Sequence, residues 1–237
     1  MKLDGATALV TGSNRGIGPY FAAEFLRRGA KVYATARRPE LVDVPGAEVL
    51  RLDITDQASV DAVAAIAQDV DVLVNNAADT AGGNLVAGDM KAIRSVLDSS
   101  YYGTLAMIRA FAPILARNGG GAILNVLSAA AWNTVDGNTA YAAAKSAQWG
   151  LTNGVRVELS GQGTLVAALV PGLVGTQTLF DYADKAGIDL PSETLIDPAD
   201  LVRLALDGLE AGEIEIMDPL ASAAKSSLAG PPLAFSW

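Results

Sequence analysis

The chain has 237 residues, 51% of them hydrophobic, and sets 17 Lys and Arg against 26 Asp and Glu for a formal net charge of −9. That length suits one large core, and the acidic balance with evenly spread charge offers no basic face to nucleic acid or to an anionic membrane. With no Cys and no His there is no disulfide, thiolate, imidazole base or usual metal ligand, so no metal site is expected. Catalysis has to come from hydroxyls, carboxylates, amines, backbone dipoles or a bound cofactor. The opening "MKLDGATALVTG" lacks a signal-peptide layout and no apolar run approaches about 18 residues, which points to a cytoplasmic protein.

Short apolar runs at 6–11, 30–35, 48–52, 70–75, 122–127, 164–169 and 213–217 read as strands. Helical periodicity falls between most of them, at 17–28, 59–68, about 89–117, about 140–160 and 198–209. Such alternation predicts an α/β fold: a doubly wound, mostly seven-stranded parallel sheet of Rossmann type, as a single domain over 1–237. The segment 37–46 is proline-punctuated, so any helix there is short. Residues 175–197 break the alternation and read as a lid or substrate loop. The tail "LAGPPLAFSW" is apolar for a terminus and is expected to pack on a neighbouring subunit.

Directly after the first strand comes "TGSNRGIG", with Gly12, Gly16 and Gly18 leading into a helix. Glycines there let the backbone turn tightly and approach a pyrophosphate at the helix N-terminus; three glycines after a strand can also be a plain turn. "AYAAAKSAQWG" sets Tyr141 and Lys145 four residues apart, on one helix face, where a phenol and an ammonium can act on one small molecule.

The sequence resembles the short-chain dehydrogenases/reductases over nearly its whole length. The glycine motif is followed in the family's order by "LDITD" at 52–56, "NNAA" at 75–78, Ser128, Tyr141 with Lys145, and "PGLVGT" at 171–176. The resemblance implies a nicotinamide cofactor held by Gly12, Ser13, Asn14, Arg15, Gly16, Ile17 and Gly18 of the loop. Asp53 would accept from the adenine amino group beside Ile54, Asn75 and Ala77 would line the ribose side, and Pro171, Gly172, Val174 and Thr176 would meet the nicotinamide, with Tyr141 and Lys145. The second strand ends "YATARR", with Arg37 and Arg38 where a carboxylate would select NAD, and Arg15 adds a further guanidinium. Arginine suits a 2′-phosphate, so NADP(H) is expected. Ala78 stands where the family has glycine, so a methyl group narrows the site.

Hydride transfer to a carbonyl needs a proton donor at the developing alkoxide. The resemblance gives that role to Tyr141, with Lys145 as the charge that favours its phenolate and Ser128, 13 residues upstream, as the hydroxyl that binds the substrate oxygen. One departure falls at Ser100, three residues before Gly103, where the family usually has an asparagine that holds a water of the proton relay. A shorter hydroxyl there weakens or reroutes the relay. The expected function is an NADP(H)-dependent oxidoreductase acting on a carbonyl or secondary alcohol. The alternatives are a non-redox lyase or isomerase using the same tyrosine, and an NADP(H)-binding regulatory protein. Asp79, Ala129, Trp132, Leu173, Phe180 and Tyr182 are candidate substrate neighbours, or else core and interface. The resemblance implies a homodimer or homotetramer, with a small molecule as the other partner.

Overall fold

The computed structural model describes residues 1–80, 82–134 and 136–229. Most of the apolar tail, residues 230–237, lies outside them, and so does the expectation that it packs on another subunit. The strands are β1 (Thr7–Thr11), β2 (Lys31–Ala36), β3 (Glu48–Arg51), β4 (Val72–Asn75), β5 (Gly121–Val126), β6 (Thr164–Val170), β7 (Leu173–Val174), β8 (Leu195–Ile196) and β9 (Glu215–Met217). Seven of them form one parallel sheet in the order β3-β2-β1-β4-β5-β6-β9, while β7 and β8 pair by themselves. Thr11 faces Thr35 on one side of β1 and Val10 faces Val74 on the other, so the chain's direction of growth reverses between β1 and β4. Ligands of doubly wound sheets bind at the carboxyl ends of the strands at such a switch point.

The helices are α1 (Gly18–Arg27), α2 (Gln57–Ile66), α3 (Met90–Leu97), α4 (Thr104–Arg117), α5 (Thr139–Glu158), α6 (Gln177–Ala186), α7 (Pro198–Ala211) and α8 (Pro219–Ser226). Every residue of β1 is buried, and the strand's two-residue period splits it between two cores. Ala8 and Val10 join Phe21 and Phe25 of α1 and Leu201 and Leu206 of α7. Leu9 joins Val60 of α2, Phe111 of α4 and Leu151 of α5 on the opposite face. Helix starts are set by side-chain caps: Asp56, Asp89, Asp197 and Asp218 each accept from an N–H in the first turn of α2, α3, α7 and α8. Each such cap contributes about 1 kcal/mol.

Three elements differ from the sequence expectation. The single helix read over 89–117 is α3 and α4 joined by a π-helical turn, Asp98–Gly103. Gly103 ends that turn because Ile54 occupies the space of its side chain: a Cβ would lie 2.8 Å from the Ile54 Cδ1. The supposed loop over 175–197 contains α6, capped by Thr176 at one end and by Gly187 at the other. Its ends are joined by the β7–β8 pair and by the Gly175 N–H donating to the Ile196 carbonyl at 3.0 Å. Helix α8 had no sequence expectation. Segment 37–46 holds only the short 3-10 turn Pro39–Leu41, as its prolines require.

Candidate active site at the sheet switch point

The glycine loop is fastened to both neighbouring strands. The Ser13 N–H donates to the Thr35 carbonyl of β2 at 2.8 Å, and its hydroxyl donates to the Val10 carbonyl at 2.9 Å. The Thr11 hydroxyl accepts from the Asn76 and Ala77 N–H groups, both at 2.9 Å, and the Asn76 side chain donates to the Thr11 carbonyl at 2.8 Å. Gly12 and Gly16 have φ of +72° and +62°, conformations that L side chains resist. At Gly18 the demand is contact: a Cβ would stand 2.1 Å from the Gly12 carbonyl oxygen. Helix α1 begins with no side-chain cap and no acidic residue in its first turn, so its N–H groups and dipole face the loop uncompensated. Asn14 is half-buried in the loop and Ile17 is buried beneath it.

Arg37 and Arg38 follow β2 and are exposed, as is Arg15 in the loop. Among the described residues Arg15 lies 4.0 Å from Asp79, and neither Arg37 nor Arg38 forms an ion pair. Beyond β3, Asp53 Oδ1 accepts from the Thr55 N–H and hydroxyl at 3.0 and 2.7 Å, which is the turn role such an aspartate takes on its own. Ile54 is buried beside Gly103. Asn75 closes β4 with its amide donating to Asn125 at 2.8 Å, and Ala77 packs against Gly12.

Ser128 follows β5, and its oxygen accepts from the Ala130 N–H at 3.2 Å. Tyr141 and Lys145 lie on α5, with the Lys145 Nζ 5.6 Å from the centre of the Tyr141 ring. The ammonium donates to the Val126 carbonyl of β5 and to the Gln148 carboxamide oxygen, each at 2.8 Å. Burial holds Lys145 down at about 7. Burial pushes the Tyr141 phenol up to about 12, with the Ser128 hydroxyl opposing the rise. Lys145 is not among the causes of the Tyr141 shift. Its ammonium is aimed at two carbonyl oxygens, and desolvation is the stronger influence on both groups.

"PGLVGT" is tied to the Ser128 turn through the Ala129 N–H, which donates to the Pro171 carbonyl at 2.8 Å. The Gly172 N–H donates to the buried Asp218 at 2.6 Å, and Val174 lies in β7. Thr176 accepts from the Leu179 N–H at 3.3 Å as the α6 cap. The candidate substrate neighbours part company. Trp132 packs edge-on against Trp149 with Lys225 of α8 over its ring, which makes it part of a small third core. Tyr182 and half-exposed Phe180 belong to α6; the Tyr182 hydroxyl comes near Gly137, and Leu173 opens β7. Asp79 accepts from the Ser95 hydroxyl at 2.8 Å.

Sequence reading passed over a buried polar chain beneath these residues. Asn125 donates to the Thr152 hydroxyl at 3.0 Å, Thr152 donates to the Gln148 backbone carbonyl at 2.8 Å, and the Gln148 amide donates to the Thr104 hydroxyl at 3.0 Å. Ser100 Oγ and Asn75 Oδ1 are buried beside this region with no hydrogen-bond partner among the described residues. A run of polar residues at the inner ends of β4 and β5 and on the inner face of α5 was the available signal.

The short chain dehydrogenase family matches residues 6–186. A sorbitol dehydrogenase of Cereibacter sphaeroides is 37% identical over 73% of this chain and 72% of its own. A short chain dehydrogenase of Burkholderia cenocepacia, solved in complex with NADP, is 34% identical with a TM-score of 0.88, covering 97% of this chain and 95% of the other. A Burkholderia phymatum member in complex with NAD shares the fold at 23% identity and a TM-score of 0.83, covering 99% of this chain and 100% of its own. With its glycine loop, its strand order and its serine, tyrosine and lysine at the switch point, the chain belongs to the short-chain dehydrogenases, a family of nicotinamide-dependent oxidoreductases.

Proposed function

We propose that the protein is an NADP(H)-dependent oxidoreductase that interconverts a carbonyl compound and a secondary alcohol, with Tyr141 as the general acid and base. The observation that carries this reading is the convergence of Ser128, Tyr141 and buried Lys145 at the strand ends next to a glycine loop with an uncompensated helix N-terminus. The loop fits a dinucleotide: Gly18 lets α1 close on the Gly12 carbonyl, and the backbone turn at Gly12 and Gly16, with open space around Gly16, leaves room for a pyrophosphate before α1. Residues 12–18, Asp53, Ile54, Asn75, Ala77, Pro171, Gly172, Val174 and Thr176 would hold the cofactor with Tyr141 and Lys145. When bound, it supplies or takes the hydride.

The chain's own residues move the proton and recognise the phosphate. A phenol near 12 is protonated across the physiological range, which suits donation to a developing alkoxide. Ser128 supplies a hydroxyl beside it to orient the substrate oxygen. Exposed Arg37, Arg38 and Arg15 favour a 2′-phosphate, and the NADP complex of the similar Burkholderia cenocepacia protein supports that preference. Cytoplasmic residence and a homodimer or homotetramer belong to the same reading. Among the described residues no helix is long and apolar enough to cross a membrane.

The test is a panel of ketones and aldehydes, with polyols in the reverse direction because a sorbitol dehydrogenase is among the relatives, assayed with NADPH and NADH. NADPH consumption is expected. Tyr141→Phe is expected to lower kcat by about 10²–10⁴-fold while NADPH affinity stays within about twofold. A Tyr141→Phe variant as active as the parent would falsify the acid–base role. Cofactor binding without turnover across the panel favours the regulatory or non-redox alternatives, and an NADH preference removes the arginine argument.

A further inference from the structure

We propose that Gln148 is a positioning residue for Lys145: its carboxamide anchors the ammonium at the floor of the cleft and sustains its charge there. The residue belongs to none of the motifs that mark the family, and it was read only as part of an alanine-rich helix. Yet Gln148 is 1% exposed. A carboxamide is removed from water at this depth without penalty only when its groups are paired. Here its oxygen accepts from Lys145 at 2.8 Å and its amide donates to the Thr104 hydroxyl at 3.0 Å. Thr104 opens α4 directly after the π turn, so this second bond ties the carboxamide, and through it Lys145, to the helix on the other side of the site.

The carboxamide's orientation is chemically determined. A protonated amine has three N–H donors and no lone pair, so the oxygen of Gln148 and not its NH₂ must face it. The Val126 carbonyl takes a second N–H, and the third is left for the cleft where Tyr141 lies. Two carbonyl dipoles are the support this charge receives. Among the described residues no carboxylate pairs with it: β5, β6 and the turn after Ser128 carry no charged residue, Lys91 and Arg94 on α3, Asp98 on the π turn and Arg109 on α4 are exposed, and Arg156 and Glu158 lie further along α5. Besides Lys145 itself and Arg156, the ionisable groups of these elements that are not exposed are the Tyr141 phenol, its ring centre 5.6 Å from the ammonium, and the half-buried Tyr101 of the π turn. Burial alone draws Lys145 down to about 7, so the balance between its charged and neutral forms falls at neutral pH, where one strong acceptor decides it.

The proposal rests on the reading that Lys145 supports Tyr141, but its test does not require turnover. The full chain, labelled with [ε-¹³C]lysine and with the Lys145 resonance assigned through Lys145→Arg, is titrated as parent, Gln148→Leu and Gln148→Glu. Losing one hydrogen bond to a charged donor is expected to move the Lys145 midpoint about one pH unit down in Gln148→Leu. Adding a carboxylate is expected to move it at least as far up in Gln148→Glu. Loosened packing cannot produce opposite signs, since admitted water moves both toward the value of free lysine. A midpoint that holds or rises in Gln148→Leu overturns the proposal; should that variant not fold, a midpoint that fails to rise in Gln148→Glu does so. If a substrate is found, the pH dependence of kcat follows the same two directions with KM little changed. Displaced midpoints in a protein that turns over no carbonyl leave the role of Gln148 standing and sink the hydride-transfer reading alone.

Discussion

The two sides of the sheet switch point solve recognition by opposite means. On the β1–β2 side the features are free backbone N–H groups, glycines without side chains and exposed guanidiniums, and under the proposed reading specificity comes from space and charge at the surface. On the β4–β5 side they are side chains sunk in the core, joined from Asn75 through Asn125, Thr152 and Gln148 to Thr104 and Lys145. The first side holds its geometry by steric prohibition, and the second by hydrogen bonds that cost about 1–3 kcal/mol each when one partner is left alone in the interior. A change at the rim is therefore expected to leave the buried side's hydrogen bonds in place.

The comparison breaks most easily at Gly18. A Gly18→Ala methyl would collide with the Gly12 carbonyl, so the loop must shift, and NADPH affinity is expected to fall at least about hundredfold with α/β circular dichroism retained. Equilibrium binding by nicotinamide fluorescence checks this; unchanged affinity would mean the loop does not need the close approach. A smaller effect is expected on the same side from Arg37→Ala with Arg38→Ala. Loss of charge-assisted hydrogen bonds to a phosphate should weaken NADPH by about 10–100-fold and leave NADH within about twofold. Equal losses for both cofactors would point to a structural defect and remove the phosphate role.

The buried side answers to pH. A lysine held near 7 in the folded chain and near 10.4 in the unfolded one makes the unfolded state bind the extra proton between those values. Its penalty on stability is therefore full below about pH 7 and relieved as pH rises toward about 10. Lys145→Met should melt above the parent at pH 6–7, by about 2–4 °C per kcal/mol relieved in a chain of this size, with the gap closing by about pH 10. The raised phenol of Tyr141 acts in the opposite sense only above about 10, outside that window. A gap that does not vary with pH would show that Lys145 keeps its charge on folding at no cost.

The same contrast explains what was legible in the sequence. The inner strands of the main sheet were readable because a parallel strand buried on both faces is an apolar run, the edge strands β3 and β9 by their place in the alternation, and the glycine loop because turn and helix entry demand particular residues in a fixed order. Helix α6 was not, since "QTLFDYADKA" lies between Gly175 and Gly187 and has little apolar surface to declare it; its cap and buried Ala183 hold it in place. The π turn is invisible because one extra residue per turn leaves no mark on composition, although Ser100 without a partner and Gly103 under Ile54 lie on it. Nothing in the sequence marks Gln148, because its amide's partner is Thr104, 44 residues away. Only the fold could show that Lys145 meets the Val126 carbonyl and the Gln148 carboxamide as well as lying beside Tyr141.

The pairing of β7 with β8 turns the excursion between them into an interchangeable cassette. Its two ends are clasped at Gly175 and Ile196, so the entropy of closing the segment is already spent at its neck, and the seven-stranded register does not feel what lies beyond. A change in the length or composition of residues 177–194 is therefore expected to leave the parallel sheet and the glycine loop in place.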